Sequence, residues 1–137
     1  MKGQSSLELL VTVGVVVAFT IPVLFLLFSV TSVGYEDTAR AQADASSRTL
    51  SDAVNSVYSQ GPGAQRLILL NTPGSTEEVY IYKGEAVVRM RTSSGVYEAA
   101  YPVIVDGDLS SIGSKSGLFV VVVENDAGRV RIYDPNE

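Results

Sequence analysis

The chain begins with a long uncharged apolar segment and changes to a mixed pattern at about residue 35. Residues 9–30 carry no charge and are rich in Val, Leu, Ile and Phe. At about 1.5 Å per residue, a helix over these 22 residues spans roughly 33 Å, enough to cross a hydrocarbon core of about 30 Å. The pattern therefore predicts a stage in a membrane. Membrane-embedded helices tolerate proline, so we expect the helix to kink near Pro22 and to continue past it.

The flanks of this apolar segment indicate its orientation. Lys2 precedes the segment, whereas Glu36 and Asp37 follow it, which predicts a cytoplasmic N-terminus and an outer C-terminus. A conventional secretory signal that is cut near Gly34 is the alternative. Such a signal has an apolar region of only about 7 to 15 residues, so the length of residues 9–30 argues against it.

Residues 35–60 predict an amphipathic helix. A row of alternating charges at i, i+4 spacing predicts a solvated face: Glu36, Arg40, Asp44, Arg48 and Asp52. A stripe at spacings of three and four predicts a face that packs on the C-terminal sheet or on an adjacent helix: Ala39, Ala43, Leu50, Ala53, Val54 and Val57. A continuous helix over residues 4–59 would be about 84 Å long. We expect Gly61-Pro62-Gly63 to end it.

Residues 61–137 predict a small β domain. Runs rich in Val, Ile, Leu and Tyr predict strands over residues 66–71, 79–82, 86–91, 96–101, 118–124 and 129–133. Turn residues separate these runs, so we expect a mainly antiparallel meander of successive hairpins. Residues 118–123 are apolar without alternation and predict a central strand covered on both sides. The fold class is therefore α+β, a long N-terminal helix packed on a small antiparallel sheet domain.

Composition narrows the possible functions. The chain has 10 Lys+Arg against 15 Asp+Glu, a net charge of -5, and no His or Cys. The common general base, the usual zinc ligands and the thiol nucleophile are therefore missing, and we expect no enzyme activity, metal or cofactor. The acidic balance argues against nucleic acid as a partner. Asp106-Gly107-Asp108 predicts a surface turn rather than a calcium site, because the further carboxylates that calcium needs are absent in sequence.

Glu8 is a carboxylate at the edge of the apolar segment. A charge at the centre of a membrane-spanning helix costs roughly 2.5 to 3.5 kcal/mol, and less near the interface. One interpretation is that Glu8 lies among the lipid headgroups, where water solvates it. The other is that Glu8 is functional and finds a cationic partner, which would have to come from a new amino terminus or from another subunit.

Residues 2–8 carry a resemblance to a known family. The sequence Lys2-Gly3-Gln4-Ser5-Ser6-Leu7-Glu8, followed by an apolar helix, resembles the class III signal of archaeal type IV pilins, a Q-x-S-x-E core after a short basic leader ending in Gly. Thr12 departs from the family pattern, which often has Leu there. The resemblance implies that a prepilin peptidase cuts between Gly3 and Gln4 on the cytoplasmic side and leaves the apolar helix on the mature subunit.

The resemblance also implies a division of the chain and a set of partners. Residues 1–3 would be the removed leader, 4–34 the helix of a filament core, 35–60 an amphipathic helix and 61–137 the outer domain. The amine of Gln4 would pair with Glu8 and set the axial register of subunits. The core positions would be Leu9, Leu10, Val13, Val17, Ile21, Pro22, Leu24 and Leu27. An assembly ATPase and a membrane platform protein would draw the subunits into a homopolymer.

The expected function is therefore that of a structural subunit in an adhesion pilus at the cell surface, made from a membrane precursor. Two alternatives remain. The chain could be a membrane-anchored extracellular binding protein whose apolar segment never leaves the lipid. It could also be a minor pilin, or a subunit of a related apparatus such as an archaellum or a sugar-uptake assembly.

Overall fold

The computed structural model describes residues 2–105 and 109–136, and the chain divides into two compact units, one ending at Glu36 and the other beginning at Asp37. A single 59-residue helix, α1, runs over Lys2–Gln60. It continues through Pro22, which confirms the predicted continuous helix. The helix ends at Gln60, and the next residue, Gly61, has a φ of 95° in the left-handed region that favours glycine. The Gly61 N–H donates to the Tyr58 carbonyl at 3.2 Å.

The second part of α1, residues 37–60, packs on the sheets of its own unit. Its predicted apolar stripe is confirmed, with Ala39 half-buried and the other five members buried: Ala43, Leu50, Ala53, Val54 and Val57. Three buried serines complete this face by donating to strand or strand-end carbonyls. The bonds run from Ser46 to Asn71 at 2.7 Å, from Ser47 to Ala86 at 2.6 Å and from Ser51 to Pro102 at 2.6 Å.

The charged row of α1 is solvated only in part. Arg48 and Asp52 are exposed as predicted, but the prediction is wrong for Glu36, Arg40 and Asp44, which are half-buried. Arg40 and Asp44 lie against Tyr97. The Tyr97 hydroxyl donates to Asp44 at 2.9 Å, and the Arg40 guanidinium lies 5.6 Å from the centre of the Tyr97 ring. The hydrogen bond to Asp44 is the main cause of a raised pKa at Tyr97. A tyrosine of the sheet therefore occupies part of the face that looked like a surface of ion pairs.

Across residues 2–105 and 109–136, seven strands form two antiparallel sheets. The strands are β1 Gln65–Thr72, β2 Thr76–Tyr82, β3 Glu85–Thr92, β4 Gly95–Pro102, β5 Ser110–Gly113, β6 Gly117–Asp126 and β7 Arg129–Tyr133. The sheets have the orders β1-β6-β7 and β4-β3-β2-β5. All six predicted strands are confirmed. The seventh, β5, was missed because Ser-Ser-Ile-Gly has a single apolar residue and no usable alternation. The predicted turn at 106–108 lies outside the described residues.

The predicted meander is correct for β2-β3-β4 and for the β6-β7 hairpin, but wrong for β1. This strand pairs with β6 along its whole length, with Leu67 opposite Val122, instead of pairing with β2. The turn after β1 carries the chain from one sheet to the other, and Thr76 fixes it through bonds from its N–H and hydroxyl to the Pro73 carbonyl. The sheets meet where the Ser110 hydroxyl accepts from the Ile132 N–H at 2.9 Å.

Strand β6 is the centre of the three-stranded sheet, as predicted. Val121, Val122 and Val123 are all buried, so both faces are covered there. Cover is incomplete at the start of the strand, where Leu118 is 70% exposed. The far end is tied to the helix because the Asn125 side-chain amide donates to the Val57 carbonyl at 3.3 Å.

Candidate assembly surface

The N-terminal half of α1 carries a bare apolar surface. Among the described residues, α1 is the one helix long and apolar enough to cross a membrane by length and composition. Its most apolar 18-residue window has a mean hydropathy of 2.7, and none of that window is buried. A core helix of a soluble protein passes the same test of length and hydropathy, but it is mostly buried. This N-terminal helix therefore suggests membrane association or secretion.

The predicted filament-core side chains all lie on this surface. The seven aliphatic members are between 46 and 69% exposed: Leu9, Leu10, Val13, Val17, Ile21, Leu24 and Leu27. Pro22 lies among them within the helix. Apolar residues surround the axis, since at about 100° per residue Phe19, Phe25 and Leu27 project in three well-separated directions. A helix that is apolar on all sides fits lipid or several neighbouring helices better than one partner surface.

Four hydroxyl groups between residues 12 and 31 are satisfied within the helix. Each one donates to the carbonyl four residues earlier, over distances of 2.7 to 3.0 Å: Thr12 to Glu8, Thr20 to Val16, Ser29 to Phe25, and Thr31 to Leu27. An unpaired hydroxyl in an apolar medium would cost several kcal/mol. Helical geometry alone supplies these acceptors, because a hydroxyl side chain can reach the carbonyl four residues earlier.

Gly3, Gln4 and Glu8 all lie in the first turns of α1, and their side-chain positions are exposed. Gln4 and Glu8 are four residues apart, so they share one helix face. A Cβ added at Gly3 would meet no atom within 4 Å. Glycine in a helix costs roughly 0.5–1 kcal/mol relative to alanine, so packing in this chain gives no reason for it. The roles of these three residues in cleavage and register stay predictions.

The outer faces of the two sheets differ in character. On the four-stranded sheet, Arg89 contacts Glu98 at 2.9 Å and Glu78 at 3.8 Å, and Arg91 contacts Glu77 at 2.9 Å. The bond to Glu98 is the main cause of a raised pKa at Arg89. These cross-strand pairs are partly or largely exposed and make this face polar.

The outer face of the three-stranded sheet is apolar near β1. Leu67 and Leu69 of β1 and Leu118 of β6 are more than 60% exposed there. At the rim of this sheet, hydrogen bonding from Arg131 is the main cause of a lowered pKa at Glu124. Asp134, whose side chain is almost fully buried, forms an ion pair with Lys115, and that bond is the main cause of its lowered pKa.

Comparison with known proteins gives no family assignment. The chain matches no protein-family model, and no curated protein or solved structure matches it. The fold therefore stands on the chain's own features, an apolar N-terminal helix whose second half packs on antiparallel sheets. This architecture is consistent with a type IV pilin-like fold.

Proposed function

We propose that the chain is the structural subunit of an archaeal type IV adhesion pilus. The observation that carries the proposal is the exposed, all-round apolar half of α1, joined in one continuous helix to a half that packs on the β sheets. A soluble monomer would have no use for such a surface, because contiguous exposed apolar area marks a membrane or protein contact.

The precursor would enter the membrane with its N-terminus in the cytoplasm. A prepilin peptidase would then cut between Gly3 and Gln4, and the β domain would lie outside. Gly3 supports this route because nothing packs where its side chain would be, so the fold itself tolerates larger residues there. The glycine at position 3 would instead meet the sequence specificity of the prepilin peptidase.

Assembly follows from the energetics of the apolar surface. If an assembly ATPase and a membrane platform protein draw the helix out of lipid, its side chains meet water unless neighbouring helices cover them. Burial contributes about 25 cal/mol per Å² of apolar surface, so polymerisation is strongly favoured over exposure. Head-to-tail contacts that do not close into a ring generate a helical filament. The homopolymer itself is then the product, and the subunit has no catalytic role.

Glu8 would act in this assembly as a register residue. Cleavage creates an amine on Gln4, one helical turn before the Glu8 carboxylate. A cation and a carboxylate that pair in an apolar environment cost much less than either charge alone. The pair, formed within one subunit or between neighbours, would favour one axial position of each incoming subunit.

The mature N-terminus tests the proposal. Mass spectrometry of the protein from isolated cell-surface filaments is expected to find a chain that begins at Gln4. Gly3→Leu is expected to block this cleavage, whereas Gly14→Leu, at another uncrowded helix position, is expected to be processed normally. A native chain that begins at Met1 and stays in the membrane would contradict the proposal and favour a membrane-anchored binding protein.

A further inference from the structure

Strand β1 is an open edge of the three-stranded sheet. Asn125 donates its N–H to the Ala64 carbonyl at 2.8 Å, and the register continues without a break to the end of β1. Antiparallel pairing then directs the even-numbered residues of β1 to β6 and the odd-numbered ones to the opposite side. The N–H and C=O groups of Gln65, Leu67, Leu69 and Asn71 therefore point away from the sheet.

This edge lacks the usual protection. In the described part of the chain, one bond reaches its outward groups, from the Ser46 hydroxyl to the Asn71 carbonyl. Edge strands are normally blunted by charges, prolines or bulges. β1 has eight residues, one charge and no proline, whereas β4, one edge of the other sheet, contains Glu98 and Pro102. An open groove of about 230 Å³ lies beside β1, lined by Gln42, Ala45, Ser46, Thr49, Leu69, Leu70 and Asn71.

We propose that the β1 edge binds the β1 edge of a second copy of this chain, antiparallel about a two-fold axis at Ile68. The outward-directed residues of β1 are, in order, amide, leucine, leucine and amide, a pattern that is the same in both directions. In this register Leu67 lies opposite Leu69 of the second copy, and Gln65 lies opposite Asn71 of the second copy. The two leucine pairs make four main-chain hydrogen bonds.

Charge and burial favour the same occupant. The two Arg66 side chains lie at opposite ends of the paired strands, each opposite Leu70 of the other copy, so like charges do not meet. The exposed Leu67 and Leu69 of both copies join into one apolar patch beside Leu118. The two three-stranded sheets become a six-stranded sheet.

The proposed β1–β1 contact is small, so its strength depends on how many copies of the domain are linked together. A stable interface buries about 800 Å² per partner, and a few exposed leucines at one strand edge supply much less. The pairing is therefore weak between single molecules. It becomes strong where many copies of the domain are linked in an array, because the first contact raises the effective concentration for the others.

The symmetry of the contact determines what it joins. A two-fold contact is closed and cannot propagate a polar filament. If the proposed pilus function holds, the pairing joins domains of two different filaments, and filaments bundle. This consequence rests on the proposed function, whereas the pairing of two chains does not.

Disulfide trapping tests the register, because the chain contains no cysteine. The full chain is purified in detergent as Leu67→Cys and Leu69→Cys forms with different tags and mildly oxidised. The mixture is expected to give at least fivefold more mixed dimer than either form gives of its own dimer. Leu118→Cys, equally exposed but one strand from the edge, is the control and is expected to cross-link little. Equal cross-linking of all forms would overturn the proposal.

A charge placed on the edge tests the consequence in filaments. Leu67→Lys is expected to reduce bundles in electron micrographs at least fivefold, with single filaments still formed. Leu118→Lys is the control and is expected to keep most bundling, since it leaves the backbone edge unchanged. Bundling lost equally in both variants would indicate contact through the sheet face and would overturn edge pairing. The detergent cross-link requires no filament, so it separates failure of the pairing from failure of the proposed function.

Discussion

At the scale of single residues, hydroxyl groups hold the helix to the sheets of the β domain. Ser46, Ser47 and Ser51 are buried in the stripe of α1, and each donates to a carbonyl of a distant segment. A buried polar group left without its partner costs about 1–3 kcal/mol. The sequence shows the serines only as gaps in an apolar pattern. Their acceptors could not be predicted, because they depend on which strand ends approach the helix.

Glu8 carries a prediction at this scale. In the proposed pilus, Glu8→Ala is expected to be processed after Gly3 and to fold normally, but to lower filament yield at least tenfold, because the carboxylate that sets the register is missing. Glu8→Gln is expected to have the same defect, since the amide cannot supply a charge. Yields are measured by quantitative blotting of sheared surface filaments against whole-cell subunit.

The matched control is Asp37→Ala, which removes a carboxylate from the opposite flank of the apolar segment. It is expected to assemble at the wild-type level. Normal polymerisation of Glu8→Ala would show that Glu8 has no part in assembly, and would favour the interpretation that it lies among the lipid headgroups.

At the scale of elements, α1 combines two patterns in one helix. Its first part is apolar on all sides and exposed, whereas its second part has one buried stripe. Both parts were predictable because helical periodicity and total hydropathy are local properties of a sequence. The strands were predictable for the same reason, except β5, whose four residues pair with β2 through tertiary context. The half-buried Arg40 and Asp44 were missed because only the fold brings Tyr97 to them.

The same substitution in the two parts of α1 is expected to act differently. Leu50 is fully buried, so Leu50→Ala is expected to lower the free energy of unfolding of the β domain by about 2–4 kcal/mol. Leu27 is 58% exposed, so Leu27→Ala is expected to leave that free energy unchanged within about 0.5 kcal/mol. Urea unfolding in detergent, followed by near-ultraviolet circular dichroism of the tyrosines, measures both. Equal losses would contradict this division of the helix.

At the scale of the whole molecule, pairing between distant strands determines the fold. Turn residues predict that neighbouring strands form hairpins, but β1 and β6 are separated by four other strands and still pair. No local feature of the β1 sequence indicates that β6 is its partner strand. The order of strands was therefore only partly predictable, and the open edge of β1 was not predictable at all. The class of architecture was predictable because it follows from the order of helix and strands.

The acid response is a property of the whole β domain. Glu124 and Asp134 have lowered pKa values when folded, so their contribution to stability is present above the unfolded pKa of about 4 and is lost as the pH falls through the folded values. The chain has no His to titrate between pH 5 and 8. Stability is therefore expected to be flat from about pH 5.5 to 7.5 and to fall below about pH 4.

Urea midpoints across this pH range measure the response. Asp134→Asn is expected to be less stable at neutral pH and to lose less on acidification, because residue 134 no longer gains a proton. Asp52→Asn, at an exposed position of α1, is the control and is expected to follow the wild-type profile. An Asp134→Asn profile parallel to that of the wild type would contradict the assignment.

The internal bonds of the Thr and Ser hydroxyls have a consequence for how the apolar helix changes surroundings. Each hydroxyl donor and its carbonyl acceptor belong to the same helix, four residues apart, so they move together. Transfer from lipid to a shell of neighbouring apolar helices therefore breaks none of these hydrogen bonds and leaves no hydroxyl group unpaired. Along most of the segment, the transfer only replaces one set of apolar contacts with another. The residues with hydroxyl groups between Thr12 and Thr31 therefore lose no hydrogen bond during it.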